Sequence, residues 1–248
     1  MYVHIKTRKE LIMNTVVHKA DSRGYANHGW LKSRHTFSFA GYYNPERVHF
    51  GALRVLNDDQ VAGGQGFGTH PHDNMEIVSI PLLGDLEHKD STGRNEVIRQ
   101  GDVQIMSAGK GISHSEFNHN KNKDVHFLQI WVFPKERDIE PVYGQKTFLA
   151  EDRLNKWQTV VSPTDENALW INQDSTFSLA NLEEGAELEY KVQQPGNGVY
   201  LFVLNGEVET AEEKLSRRDA MGVSEVDSFK IKAGTKSEVL AIEVPMEF

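Results

Sequence analysis

The sequence predicts an all-β protein built from two similar β-barrels. Three observations carry this. Short apolar or alternating runs follow one another along the chain, while no amphipathic helical stripe of a dozen residues is present. Glycine-containing turns separate them: Leu83-Gly84-Asp85, Ser91-Thr92-Gly93, Asn205-Gly206 and Ala233-Gly234. The two halves also look alike. Ile80-Pro81-Leu82-Leu83-Gly84-Asp85-Leu86-Glu87 matches Phe202-Val203-Leu204-Asn205-Gly206-Glu207-Val208-Glu209, an apolar strand, a glycine turn and an acidic-apolar strand in each.

The elements can be taken in order. Residues 22–27 have no clear period. Residues 76–83 form an apolar run, and 85–88 returns from the Gly84 turn as its hairpin partner. Strands follow over 96–99, 103–106 and 125–133, the last ending at Pro134 and the charges Lys135-Glu136-Arg137. A short helical piece is expected near 150–154. The second half supplies strands over 158–161, 169–171, 177–180, 187–192, 199–204, 229–231 and 239–244. Phe37, Phe39, Tyr42 and Tyr43 read as a strand burying aromatics. The break after Phe133 divides the chain into domains 13–136 and 137–248, with 1–12 as an extension ahead of Met13.

Composition excludes several classes. The 248 residues carry 27 Lys and Arg against 36 Asp and Glu, a net charge of −9 that argues against nucleic acid as the main partner. There is no cysteine, so disulfides, thiolate metal sites and cysteine nucleophiles are ruled out. No apolar run approaches the ~20 residues of a spanning helix, and the N-terminus lacks a signal-peptide core. The expectation is a cytoplasmic protein with no membrane partner, working as a monomer.

The histidines carry the chemistry. All 11 lie at or before position 126, so only the first half is equipped for imidazole chemistry. His70-Pro71-His72 precedes an apolar run, and His114-Ser115-Glu116 follows the glycine-rich Gly109-Lys110-Gly111. On a strand, residues i and i+2 share a face, so each pair aims at one point. If the two strands face each other across a barrel, three imidazoles and one carboxylate converge. That set suits one iron(II), and also manganese, cobalt, nickel, copper or zinc. His28 and His35 are expected to pack or hydrogen-bond, His126 to be a satisfied core residue, and His49, His88 and His119 to face solvent. Matching the halves at Gly84 and Gly206 sets His70 and His72 opposite Val192 and Gln194. Matching Asp102 to Asp219 sets His114 and Glu116 opposite Ile231 and Ala233.

These residues sit in longer motifs. Gly64-x5-His70-Pro71-His72-x3-Glu76 and Gly101-x5-Ser107-Ala108-Gly109-x4-His114-x3-Asn118 resemble the two cupin motifs. His70 to Glu76, Met106 to Glu116 and the block Asn27-His28-Gly29-Trp30-Leu31-Lys32-Ser33-Arg34-His35-Thr36-Phe37-Ser38-Phe39 are more closely similar to the pirin family, and within it to bacterial quercetin 2,3-dioxygenases. The resemblance implies a bicupin, two jelly-roll-like barrels side by side with one metal ion in the first. It implies His70, His72, His114 and Glu116 as ligands, with Glu76, a ligand in many cupins, standing behind them. It further implies dioxygen-dependent cleavage of a flavonol with release of carbon monoxide, Glu116 doubling as the base. Proximity to the ligands in sequence nominates Phe67, Met106, Phe117 and Phe127 as substrate contacts. A different class in the same family is the non-enzymatic regulator, whose metal redox state alters a surface for a protein partner.

Overall fold

The structure, a computed structural model, describes residues 13–248; the expected extension 1–12 lies outside the described residues. The first half holds β1 (Asn14–His18), β2 (Gly24–Asn27), β3 (Leu31–His35), β4 (Leu53–Val61), β5 (Gly66–His72) and β6 (Glu76–Leu83). It continues with β7 (Leu86–Asp90), β8 (Asn95–Ile98), β9 (Asp102–Ser107), β10 (Ile112–Asn118) and β11 (Val125–Val132). The second half holds β12 (Val142–Thr147), β13 (Gln158–Val161), β14 (Thr176–Leu182), β15 (Glu187–Lys191) and β16 (Asn197–Asn205). Then come β17 (Glu207–Thr210), β18 (Glu213–Ser216), β19 (Ala220–Ser224), β20 (Ser228–Ala233) and β21 (Ser237–Pro245). The helical piece is one 3-10 turn, Ala150–Arg153.

These strands make four sheets. A seven-stranded sheet, β12-β9-β6-β11-β4-β3-β2, faces a four-stranded one, β5-β10-β7-β8. A six-stranded sheet, β1-β19-β16-β21-β14-β13, faces another four-stranded one, β15-β20-β17-β18. The orders superimpose: β9-β6-β11-β4 repeats as β19-β16-β21-β14, and β5-β10-β7-β8 as β15-β20-β17-β18. Duplication is therefore written in the topology. Each half is a pair of facing sheets, cupin-like, without closure into a full barrel. Two strands cross between halves. β1 edges the second half by pairing with β19, and β12, past the Pro134 break, edges the first by pairing with β9.

Period-two alternation places the core. On β6, Val78 and Ile80 point between the two large sheets, where they meet Tyr200, Phe202, Leu240 and Ile242. Ile77 and Ser79 point the other way, into the first half. Burying such a run of Val, Ile, Leu and Phe on both sides of the large sheets contributes about 1.5–3 kcal/mol per fully buried side chain, which welds the halves together. The hairpins at Gly84 and Gly206 have φ of +78° and +81°, a region that favours glycine.

Strands β1 to β4, β12, β18 and β19 fall where no strand was expected, and β5 and β10 were marked only by the His-x-His and His-x-Glu spacing. Several of these present polar side chains to the interior, so they lack the apolar alternation that marks a strand. β4 turns Asn57 and Asp59 inward, and β10 turns His114 and Glu116 inward. Residues 37–43 are a correction. They form a turn with one bridge, Phe39 to Tyr42, around Ala40 at φ +49°, and Tyr43 is exposed. Residues 169–171 are likewise not a strand; Leu169 makes a single bridge to Val161.

Candidate metal centre

The two histidine motifs lie on adjacent strands of one sheet and do not face each other across the interior. β5 and β10 run antiparallel with His70 directly opposite His114 and His72 opposite Ile112. A bulge between His114 and Glu116 then sets Glu116 opposite Phe67. Bulges commonly re-aim side chains beside functional sites. The result is a triangle of imidazoles, with ring centroids 4.9 Å apart for His70–His72, 4.5 Å for His70–His114 and 4.9 Å for His72–His114. Ring nitrogens of all three lie within 4.8 Å of one another.

Two of the three rings are oriented from behind. The Gly68 carbonyl lies 2.8 Å from His70 Nδ1, which makes that nitrogen the donor and leaves Nε2 with its lone pair. His114 is held by a chain. Asp90 Oδ2 lies 3.0 Å from His88 Nε2, and His88 Nδ1 lies 3.4 Å from His114 Nδ1. Asp90 is held below the usual carboxylate range: burial by itself raises it, and hydrogen bonds from Thr92 and His88 more than reverse that. An ionised Asp90 accepts from His88 Nε2, His88 Nδ1 accepts from His114 Nδ1, and His114 Nε2 is left as an acceptor. His114 Nε2 and His72 Nε2 are both buried without a hydrogen-bond partner.

Electrostatics keep His72 and His114 neutral. Burial first, then the neighbouring histidines, pull His114 down to about 2 and His72 to about 4. Glu116 is 3% exposed. Gln129 Nε2 donates to it at 2.8 Å, and Ser79 Oγ, which lies 2.6 Å from Gln129 Oε1, stands 3.3 Å from its carboxylate. Burial raises its pKa, against the pull of His88 and of the Gln129 hydrogen bond. His88, His114 and Glu116 form a second group of donors within 4.8 Å. Imidazoles with orphaned buried nitrogens beside a carboxylate fit a divalent transition ion: nitrogen and oxygen donors converge on one point.

Glu76 points elsewhere. It shares the even face of β6 with Val78, so its carboxylate accepts from Ser107 Oγ at 2.6 Å and from the Asn172 backbone at 3.0 Å, tying the two halves together. A cavity of about 260 Å³ opens over His70, His72 and Glu116, walled by Phe39, Phe67, Phe127 and Trp131. Of the four nominated substrate contacts, Phe67 and Phe127 line it. Met106 is packed with Ile77, Ala108 and Ile112, and Phe117 is 38% exposed on the outer face of β10.

Two family descriptions match the chain: Pirin over residues 16–132, and the quercetinase C-terminal cupin domain over 159–244. An Escherichia coli protein named quercetin 2,3-dioxygenase is 42% identical over 228 residues, 92% of this chain and 97% of its own length.

The chain belongs to the pirin family.

A pirin-like protein of Caulobacter vibrioides is 38% identical over 225 residues, covering 90% of this chain and 96% of that one. The crystal structure of the bacterial pirin YhhW from Escherichia coli in complex with nickel(II) superposes with a TM-score of 0.88 at 40% identity, covering 94% of this chain and 99% of that one. Within this pirin, the sequence reading missed several residues around the site. His88 was expected at the surface but is fully buried, because β7 turns it inward beside His114. Its signal was the His88-x-Asp90 spacing, which shares a face on a strand. Gln129, Trp131, Asn57 and Asp59 also line the cavity. Gln129 and Trp131 were hidden inside a strand read for its apolar content, and Asn57 and Asp59 lie on β4, where no strand was expected. His126 is half-buried on the opposite face of β11, toward Asp58 and Arg218, and so does not enter the first half's interior. His35 is buried, whereas His28, His49 and His119 are exposed. Among the described residues no helix is long and apolar enough to cross a membrane.

Proposed function

We propose that this pirin is a metal-dependent dioxygenase that cleaves a flavonol with dioxygen and releases carbon monoxide. His70, His72, His114 and Glu116 are its ligands and iron(II) is its ion. The observation that carries the reading is the triangle of imidazoles, two of their nitrogens orphaned, at the floor of an aromatic-walled cavity. The name of the Escherichia coli relative and the nickel(II) bound by its structural neighbour support it. Three nitrogens and one carboxylate oxygen also accommodate manganese, cobalt, nickel, copper or zinc.

When bound, the ion supplies Lewis-acid polarisation of the flavonol's hydroxyl and carbonyl. The chain supplies the rest. Glu116, made more basic by burial, takes the proton of the 3-hydroxyl, and Gln129, braced by Ser79, holds its carboxylate while it does so. Phe67 and Phe127 flank the planar rings, and the apolar wall excludes water while the central ring opens.

The test is anaerobic metal loading followed by admission of oxygen with quercetin. Oxygen uptake and carbon monoxide release in equal amounts are expected. Glu116→Gln keeps an oxygen donor and loses the base, so turnover per bound metal falls by ~10²–10⁴-fold while metal content drops less. Glu76→Gln stays within a few-fold. Equal turnover per metal in Glu116→Gln removes the base role; metal lost in Glu76→Gln but retained in Glu116→Gln moves the carboxylate ligand to Glu76.

A further inference from the structure

A polar patch on β3 and β4, which the metal centre does not use, lines the cavity over the histidines with Asn57 and Asp59 and continues outward through Ser33 and His35. On β3 and β4 the register sets Ser33 opposite Asp59 and His35 opposite Asn57. All four face the interior of the first half and all are at least nine-tenths buried, at 3%, 5%, 4% and 4% exposure in that order. Ser33 Oγ, His35 Nδ1, Asn57 Oδ1 and Asp59 Oδ1 have no hydrogen-bond partner. Buried polar atoms are otherwise nearly always paired, because an unpaired one costs about 1–3 kcal/mol. Four orphans on one two-strand patch mark a surface shaped for something that brings hydroxyls.

Their position says what. A second cavity of about 510 Å³ leads from the exposed Tyr25 and His28 inward and shares Phe39, Asn57, Asp59 and Phe67 with the inner one. The inner chamber of about 260 Å³ is smaller than the ~300–1,000 Å³ of ordinary small-molecule sites. A ligand whose reacting end sits over His70 and Glu116 therefore extends past Asn57 and Asp59 into the outer chamber. There its far end lies between the rings of Phe39 and Phe67. Phe39 is itself fixed edge-on to His35 at 5.3 Å and to Trp131 at 5.4 Å.

We propose that His35, Asn57 and Asp59 form a specificity subsite that binds the hydroxyl groups on the pendant ring of a planar polyphenol. A phenolic O–H suits all three, since it donates to Asn57 Oδ1 and Asp59 Oδ1 and either donates to or accepts from His35. The subsite rests on the flavonol reading of the metal centre and adds to it a choice among flavonols.

The experiment measures equilibrium binding to the metal-loaded full chain under argon, where turnover is blocked, by quenching of tryptophan fluorescence. Two probes are compared: quercetin, with two hydroxyls on its pendant ring, and the flavonol identical except that this ring is bare. Wild type binds quercetin about tenfold or more tightly than the bare-ring flavonol. Asn57→Leu and Asp59→Leu, each checked for unchanged metal content and a cooperative melt, bring the ratio to within about threefold. His35→Phe is the third variant, for use if either leucine variant fails to fold. A wild-type ratio near one, with both flavonols bound, overturns the subsite and leaves the flavonol reading standing. A ratio unchanged in the folded variants also overturns it. Failure of either flavonol to bind wild type, together with no oxygen uptake, overturns both.

Discussion

The two halves of this pirin have the same strand order and opposite interiors. The Gly84 and Gly206 hairpins align Leu86 with Val208, and the ladders then carry the match outward. Asn118 corresponds to Ala233, Glu116 to Ile231 and His114 to Phe229. His70, opposite His114, corresponds to Tyr190, opposite Phe229, and His72 to Val192. The sequence match, with Val192, Gln194, Ile231 and Ala233 opposite His70, His72, His114 and Glu116, sets all four partners two residues too far along. The supporting residues change with the ligands: Ser79 becomes Leu201 and Gln129 becomes Ala241. Tyr190 and Phe229 stack at 5.7 Å and join Ile231, Leu201 and Ala241 in one apolar cluster. The fold therefore needs only something to fill the space between facing sheets. Apolar side chains fill it for stability; in the first half polar ones open it for chemistry.

That comparison can be broken or sharpened. The largest effect belongs to His114→Phe, which writes the second half's residue into the first. Elemental analysis is expected to find one equivalent of divalent metal in wild type and less than a tenth of that in the variant. Two equivalents in wild type, or full occupancy in the variant, breaks the contrast. The reverse exchange, Ile231→Glu, buries a carboxylate with none of the donors that Glu116 has. It is expected to cost several kcal/mol in denaturant unfolding, from lost burial and an unpaired charge; a loss under about 1 kcal/mol would show that the second half is as tolerant of charge as the first.

Asp59 sharpens the contrast, since its ladder counterpart is Ala180. Burial, then the nearby Asp58 and Glu116, push its carboxyl up to about 7 against the pull of Ser33. A raised folded pKa means that its stability contribution is complete below the unfolded value of 3.8 and is lost as pH rises through about 7. In metal-free protein, Asp59→Asn removes this loss. Its stability relative to wild type is expected to improve by about 2 kcal/mol between pH 5 and pH 8, at ~1.4 kcal/mol per unit. Parallel pH profiles for the two proteins would contradict the shift. The smallest effect is expected from Asp90→Asn, which stops ordering the His88–His114 tautomers. Metal affinity should fall about 10-fold, within the usual range for partners behind a ligand, while the melting temperature of the metal-free form hardly moves.

The all-β class, the duplicated halves, the hairpins at Gly84 and Gly206 and the confinement of imidazole chemistry to the first half were legible in the sequence. Each is a local signal: alternation, a turn glycine, or the presence of a residue type. His-x-His and His-x-Glu were legible for the same reason, because spacing by two sets a face without reference to anything distant. Tertiary structure alone decided how those faces meet. Pairing of β5 with β10, in place of an approach across the interior, depends on a ladder between residues more than 40 positions apart. The burial of His88, the exchange of β1 and β12 between halves and the polar patch of His35, Asn57 and Asp59 are decided the same way. Strands that turn polar groups inward lose the alternation by which strands are recognised, so the part of the chain that builds the site is the part whose pattern is hardest to read.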